Sequence, residues 1–187
     1  MRKENDYFVV LFNSRNKDNT NVKNFKERRK MFLTTYDKDD ENLIKKFNSF
    51  VRDGVPGEFC RMYYSVNSRD QKKIHTQLMH YLIDNPDLNF ASIESILVGI
   101  AAKKNCAKSK RWMFDFDIDD ETKLAEFCED IKTFGGEGIE VTPYKTPHGY
   151  AVITSRGFDV RPLYNKWNSS LTECKPDDLL CVRWTNN

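Results

Sequence analysis

The sequence predicts a mixed α/β (α+β) fold, and three observations carry that expectation. Short β-branched and aromatic runs alternate with segments of helical periodicity along the whole chain. The second half reads strand, helix, strand, strand, short helix, strand. Within it, residues 111–118 alternate strictly, with Trp112, Phe114, Phe116 and Ile118 on one side and Met113, Asp115, Asp117 and then Asp119 on the other. A chain of 187 residues suits one compact domain over residues 1–187. The pattern divides it into an N-terminal α/β subdomain over 1–106 and a C-terminal subdomain over 107–187.

Taken in order, residues 7–12 (YFVVLF) form a buried strand, 13–24 a polar loop, and 25–36 a segment whose pattern does not choose between helix and strand. Leu43, Phe47 and Phe50 recur at helical spacing within 38–51, and Gly54, Pro56 and Gly57 stop that helix. Residues 59–66 (FCRMYYSV) read as a strand. Ser68 or Asp70 starts a helix whose stripe is Ile74, Leu78, Tyr81 and Leu82, ended by Asn85 and Pro86. A further helix carries Ile93, Ile96, Leu97, Ile100 and Ala101, with Lys103 and Lys104 in its last turn.

After the alternating strand, Leu124, Phe127, Cys128 and Ile131 mark a helix stopped by Gly135 and Gly136. Residues 139–144 and 150–155 are two strands joined by the turn Thr146, Pro147, His148, Gly149. Asp159 opens a short helix or loop, and residues 179–184 (LLCVRW) form the closing strand. The order β-α-β-β-(α)-β matches an RRM-like, or split βαβ, unit.

Composition excludes several classes. Hydrophobic residues at 39% and aromatics at 13% fill a core, so the high charged fraction describes a solvated surface rather than disorder. The net charge of +2 points to no particular partner, although residues 23–30 and 103–111 are basic runs and 115–121 is acidic. No segment approaches a membrane span and the N-terminus has no apolar signal core. The five cysteines lack zinc-like spacing, so reduced, mostly buried thiols in the cytoplasm are expected. Richness in Asn, Lys and Asp fits an AT-rich genome such as a virus, which would place the chain in a host cytoplasm.

Asp115 and Asp117 are the sharpest chemical feature. Two apart on a strand, their carboxylates leave one face, with Cα atoms about 6–7 Å apart. Such a pair repels itself unless a cation or protons intervene. Oxygen-only ligands on a rigid strand suit Mg²⁺ or Mn²⁺, and two such ions about 3.5–4 Å apart can align a phosphoryl transfer. The plain alternative is a sheet face on which the acids pair with Lys or Arg. Asp159, after Phe158, is a candidate third carboxylate or else a local helix cap.

Lys145, Thr146, His148 and Gly149 are candidate phosphate contacts in the hairpin turn, or a plain β-turn. Arg61, Arg111, Arg156 and Arg161 are further phosphate candidates. Arg61 leads them because it interrupts an apolar strand. His75 and His80 lie about 140° apart around a helix and cannot share a metal from one face. There is no P-loop and no dinucleotide-binding glycine motif.

At these residues the chain resembles the archaeo-eukaryotic primase (primase–polymerase) superfamily. Trp112 to Ile118, with Asp115 and Asp117, looks like that family's Asp-x-Asp strand. Lys145 to Ile153 looks like its hairpin motif, and Phe158 with Asp159 looks like its hydrophobic-Asp motif. The likeness covers residues 111–159, and the family's C-terminal unit is RRM-like. The resemblance implies DNA replication chemistry. Asp115, Asp117 and Asp159 would hold two divalent ions, which position a nucleoside triphosphate on DNA or RNA for attack at its α-phosphate. The departure is Ala151, which stands where the family carries the His that contacts the incoming phosphates. Synthesis is then expected to be weak or absent with metal and nucleotide binding retained, whether the loss is natural or engineered.

Two other classes stay open. One is a non-catalytic nucleic-acid or protein-binding module, which Ala151 favours. The other is a phosphatase of the haloacid dehalogenase type, or a metal-dependent nuclease. The phosphatase wants Thr or Gly soon after its motif and parallel strands downstream, where this chain has Ile118, Asp119, Asp120 and then a hairpin. The late pair Asp177 and Asp178 could mimic that class's acidic pair.

Overall fold

A computed structural model describes residues 6–186. The first unit runs to Ser109 and takes back the chain from Cys181, and the second is Lys110–Leu180. The fold is α+β, as expected, with two four-stranded sheets.

The first unit contains β1 (Phe8–Ser14), β2 (Arg28–Thr34), α1 (Glu41–Arg52), β3 (Phe59–Ser65), α2 (Gln71–Asp84) and α3 (Ile93–Ala101). The ambiguous segment 25–36 is thus a strand, antiparallel to β1 with Phe12 opposite Lys30. Strand β3 pairs antiparallel with the other edge of β1. Phe12, Cys60, Met62 and Tyr64 on one sheet face pack against Leu43, Phe47, Phe50 and Val51 of α1. Asp40 caps α1 through the N–H of Asn42, and Asp70 caps α2 through the N–H groups of Lys72 and Lys73. Lys103 and Lys104 fall outside α3, which ends at Ala101, because a separate 3-10 turn, Lys104–Cys106, follows it.

Glu58 is 1% exposed and accepts two hydrogen bonds from Arg28, at 2.9 and 2.6 Å. The guanidinium of Arg28 also lies 4.3 Å from the Phe50 ring centroid. Burial opposes the Glu58 carboxylate, and the bonds from Arg28 and from the N–H of Val55 outweigh it, holding the group below its ordinary range.

The second unit contains β4 (Trp112–Phe116), α4 (Glu121–Gly135), β5 (Val141–Thr146), β6 (Gly149–Thr154), α5 (Arg161–Lys166) and β7 (Thr172–Lys175). Its sheet order is β5-β6-β4-β7, so the first strand of the unit lies between the third and the fourth, the split βαβ order. Phe114 and Phe116 meet Phe127 of α4 at ring-centroid distances of 5.7 and 4.9 Å. Leu124, Ile131 and Leu163 complete that core.

The unit's fourth strand differs from the sequence expectation. Strand β7, in a segment read only as helix or loop, supplies it by pairing with β4. The expected closing strand exists as β8 (Leu179–Asn186), but it pairs with β3 in the first sheet. Apolar alternation marks a segment as a strand without specifying which sheet edge receives it. All five cysteines are free, and Cys60, Cys106 and Cys181 are buried. Among the described residues, no helix is long and apolar enough to cross a membrane.

Candidate carboxylate site and arginine face

Because Phe114 and Phe116 turn toward the helices, Met113 and Asp115 occupy the opposite face of β4. Asp115 lies in register with Ala151 on β6 and with Glu173 on β7. Lys175, two residues beyond Glu173 on the same face, places its Nζ 2.9 Å from Asp115 Oδ2. That ammonium also lies 3.5 Å from Glu173 Oε2 and 3.9 Å from Asp178 Oδ2. Burial works against the Lys175 charge, but the Asp115 hydrogen bond and the three carboxylates override it and raise its pKa. A protein cation therefore sits among the acids of this face.

Asp117 follows the end of β4 and is exposed, with its N–H donating to the Leu171 carbonyl at 2.9 Å. Asp159 is held elsewhere. Phe158 packs near the Trp112 and Phe114 rings, at 6.4 and 5.8 Å, which puts Asp159 toward the start of β4. Along the strand, Trp112 and Asp115 are about 10 Å apart. The Asp159 carboxylate accepts from the backbone N–H of Arg161 and from its guanidinium at 2.6–3.1 Å. The exposed pair with Arg161 lowers the Asp159 pKa to about 2. The structure thus keeps Asp115 on β4, places Asp117 just beyond the strand's end, and sets Asp159 toward the strand's start. Among the described residues, no group of three or more His, Cys, Asp or Glu side chains is placed to hold a metal ion.

The hairpin candidates serve the turn. Thr146 and Gly149 are in register, with Pro147 and His148 between them. Gly149 has φ +146°, and a Cβ there would lie 2.4 Å from the Phe116 carbonyl oxygen, so the close approach of this turn to β4 requires glycine. Lys145 pairs with Asp119 and lies 4.2 Å from the Tyr150 ring centroid. His148 is exposed. Arg156 donates to the carbonyls of Gly135 and Glu137 at 3.0 and 3.1 Å, closing the end of α4. Arg161 is the partner of Asp159, and Arg111 is exposed just before β4.

Arg61 belongs to a different constellation, within the first unit. Asn13 of β1 lies in register with Arg29 of β2 and with Arg61 of β3. Since Phe12 and Met62 face α1, these three side chains share the other face. Arg61 donates to Asp18 Oδ1 at 2.7 Å, and Arg15 grips the same carboxylate with Nε and Nη2 at 2.8 and 3.1 Å. Strand alternation adds Arg183 of β8, because Val182 points into the α1 core. Arg183 is half-buried, and its buried Nε makes no hydrogen bond among the described residues. Burial pushes the Cys181 thiol up to about 11 against the opposing pull of the neighbouring Arg61 and Arg15 charges.

Four guanidiniums, of Arg15, Arg29, Arg61 and Arg183, thus share a region in which Asp18 is the carboxylate that binds two of them. Glu27, two residues before Arg29, accepts from the N–H of Asn16 at 3.2 Å. The sequence marks Arg61 as an interruption of an apolar strand. It marks Arg29 only as part of the basic run 23–30 and does not mark Arg15 and Arg183, because sheet register is what unites them with Arg61. No protein-family model, curated protein or solved structure matches the chain.

Proposed function

We propose that this chain binds nucleic acid through the arginine face of its first unit, and that its Asp-x-Asp unit is a catalytically silent, primase-like module. The observation that carries the binding is the exposed Arg29, with the half-buried Arg15 and Arg183, around the cross-strand row Arg29–Asn13–Arg61, in which Arg61, 6% exposed, anchors Asp18 from within the fold. Guanidiniums match phosphate geometry with forked hydrogen bonds. Asp18 takes the fork of Arg15 and a bond from Arg61, so the exposed Arg29 is the guanidinium of the row that faces solvent. The exposed Arg29, with the exposed Lys23, Lys26 and Lys30 of the same basic run, suits a phosphodiester backbone.

The silence of the second unit is supported by Lys175, whose ammonium lies where a cation bridging Asp115 and its neighbours would lie, and by the seat of Asp159 at the other end of β4. The test is fluorescence anisotropy with labelled oligo-dT and oligo-rU strands across a salt series. Arg29→Gln/Arg183→Gln should weaken binding and reduce the salt slope by about 0.7 for each phosphate that is no longer neutralised. An unchanged affinity and slope in that variant would remove the arginine face as the site. Preference between the two strands would decide DNA against RNA.

A second reading, metal-dependent nucleotidyl transfer, is favoured by one observation. Ala151 lies directly opposite Asp115, which is where the primase resemblance calls for a phosphate-binding His. Under that reading Asp115 and Asp117 would hold Mg²⁺ or Mn²⁺ once Lys175 swings away, and a nucleoside triphosphate would be the substrate. Calorimetry with Mn²⁺ and a triphosphate, on wild type and on Asp115→Asn/Asp117→Asn, separates the two. Binding abolished in the variant supports transfer chemistry, and absence of binding in both supports the silent module.

A further inference from the structure

Helix α2 leaves a side of itself without a partner among the described residues. Only Ile74 of its residues is buried, and one and two turns later Leu78 and Tyr81 continue the inward side as half-buried groups. The outward side runs Lys72, Thr76, Met79, Ile83, at the i, i+4, i+7, i+11 positions that stack along one helix face. Ile83 is 71% exposed and Met79 47%. Phe90, in the short turn after α2, is 74% exposed. Isolated apolar residues on a surface need no explanation, but two adjacent ones centred on the outward stripe of one helix form a patch.

The charges bordering this stripe are unevenly distributed. Lys72 and Lys73 lie in the first turn, whereas Asp84 ends the helix and Asp87 follows it, all four exposed. The stripe is therefore basic at one end, apolar in the middle and acidic at the other. A surface of that kind is complementary to itself when one copy is reversed, which is the requirement of a two-fold, isologous contact.

We infer that α2 is the contact surface for a second copy of this chain, packed antiparallel about Met79. In that arrangement Met79 meets Met79 or His80 of the other copy, Ile83 covers Thr76, and Lys72 faces Asp87. The opposite charges at each end fix the antiparallel direction, since a parallel pairing would place Lys72 on Lys72 and Asp84 on Asp84. The apolar strip is small beside the roughly 800 Å² per partner of a standard stable interface, so the dimer forms weakly and exchanges.

Sedimentation velocity on the full chain across the micromolar to millimolar range tests this. Wild type should shift toward twice its monomer mass as concentration rises. Ile83→Glu should remain monomeric, and because Ile83 is largely exposed its unfolding midpoint should match wild type. Lys72→Glu should weaken association, and Lys72→Glu/Asp87→Lys should restore it. A wild type that stays monomeric throughout overturns the inference. So does an Ile83→Glu variant that associates like wild type, or a charge swap that fails to restore association.

Discussion

Lys175 Nζ lies 2.9 Å from Oδ2 of Asp115, with the two residues on adjacent strands β7 and β4. Their side chains are 26% and 35% exposed, so the pair is neither a free surface contact nor a deeply buried one. Lys175 neutralises a face on which Asp115 and Glu173 stand directly opposite each other. Like charges facing across a strand pair destabilise a sheet.

Lys175→Met removes that cation and leaves Asp115, Glu173 and Asp178 to repel one another. The expected loss is about 1 kcal/mol in urea unfolding at low salt, partly recovered at high salt. Calorimetry should show Mn²⁺ binding to this variant more tightly than to wild type. Equal Mn²⁺ affinity in the two proteins would mean that Lys175 does not hold the cation position.

Glu58→Gln removes the charge from a part-buried pair with Arg28, whose side chain is 25% exposed, and should cost about 1–3 kcal/mol, read as a lower urea midpoint. The pH dependence follows from the same group. Its folded pKa is depressed, so the stability it contributes is complete above its unfolded value and is lost as pH falls through the folded one. Wild type should therefore lose stability on acidification below the ordinary carboxylate range more steeply than Glu58→Gln does.

Gly149→Ala forces a Cβ against the Phe116 carbonyl at a backbone conformation that L residues rarely adopt. The expected destabilisation is about 1–3 kcal/mol, measured by thermal unfolding. Gly138→Ala is the control for left-handed strain alone, since it shares a positive φ and would meet nothing within 4 Å.

Ala151 is 2% exposed, so a His at that position must displace its neighbours. Ala151→His should lower stability by about 1–3 kcal/mol and yield no nucleotide incorporation in a primer-extension assay with Mn²⁺. Incorporation on restoring this His would instead support the transfer reading.

Much of the fold was legible because the relevant signals are local. The alternation of residues 111–118 gave β4 and both of its faces, and Asp70 and the Thr146–Gly149 turn gave their elements through capping and turn chemistry. Strand β7 was not legible, since its four residues (TECK) carry no apolar period and its position is set by backbone pairing with β4. Residues 179–184 announced a strand, yet nothing in their composition distinguishes the edge of β3 from the edge of β4. The candidate site divides in the same way. Asp115 was visible as a strand acid, whereas Asp117, expected beside it on the strand, falls just past the end of β4, the cation on Asp115 comes from 60 positions away and Asp18 reaches Arg61 across 43. Asp159 was recognisable as a local acid beside Arg161, but its distance from Asp115 depends on the Phe158 packing that the sequence does not display.

The central claim is tested most directly by one binding titration, with labelled oligo-dT and oligo-rU against wild type, Asp115→Asn/Asp117→Asn and Arg29→Gln/Arg183→Gln, each with Mn²⁺ and with EDTA. The predicted result is salt-dependent binding that is indifferent to EDTA, retained by the carboxylate variant and weakened in the arginine variant. Binding that requires Mn²⁺ and disappears with the two carboxylates, while the arginine variant binds normally, would contradict it.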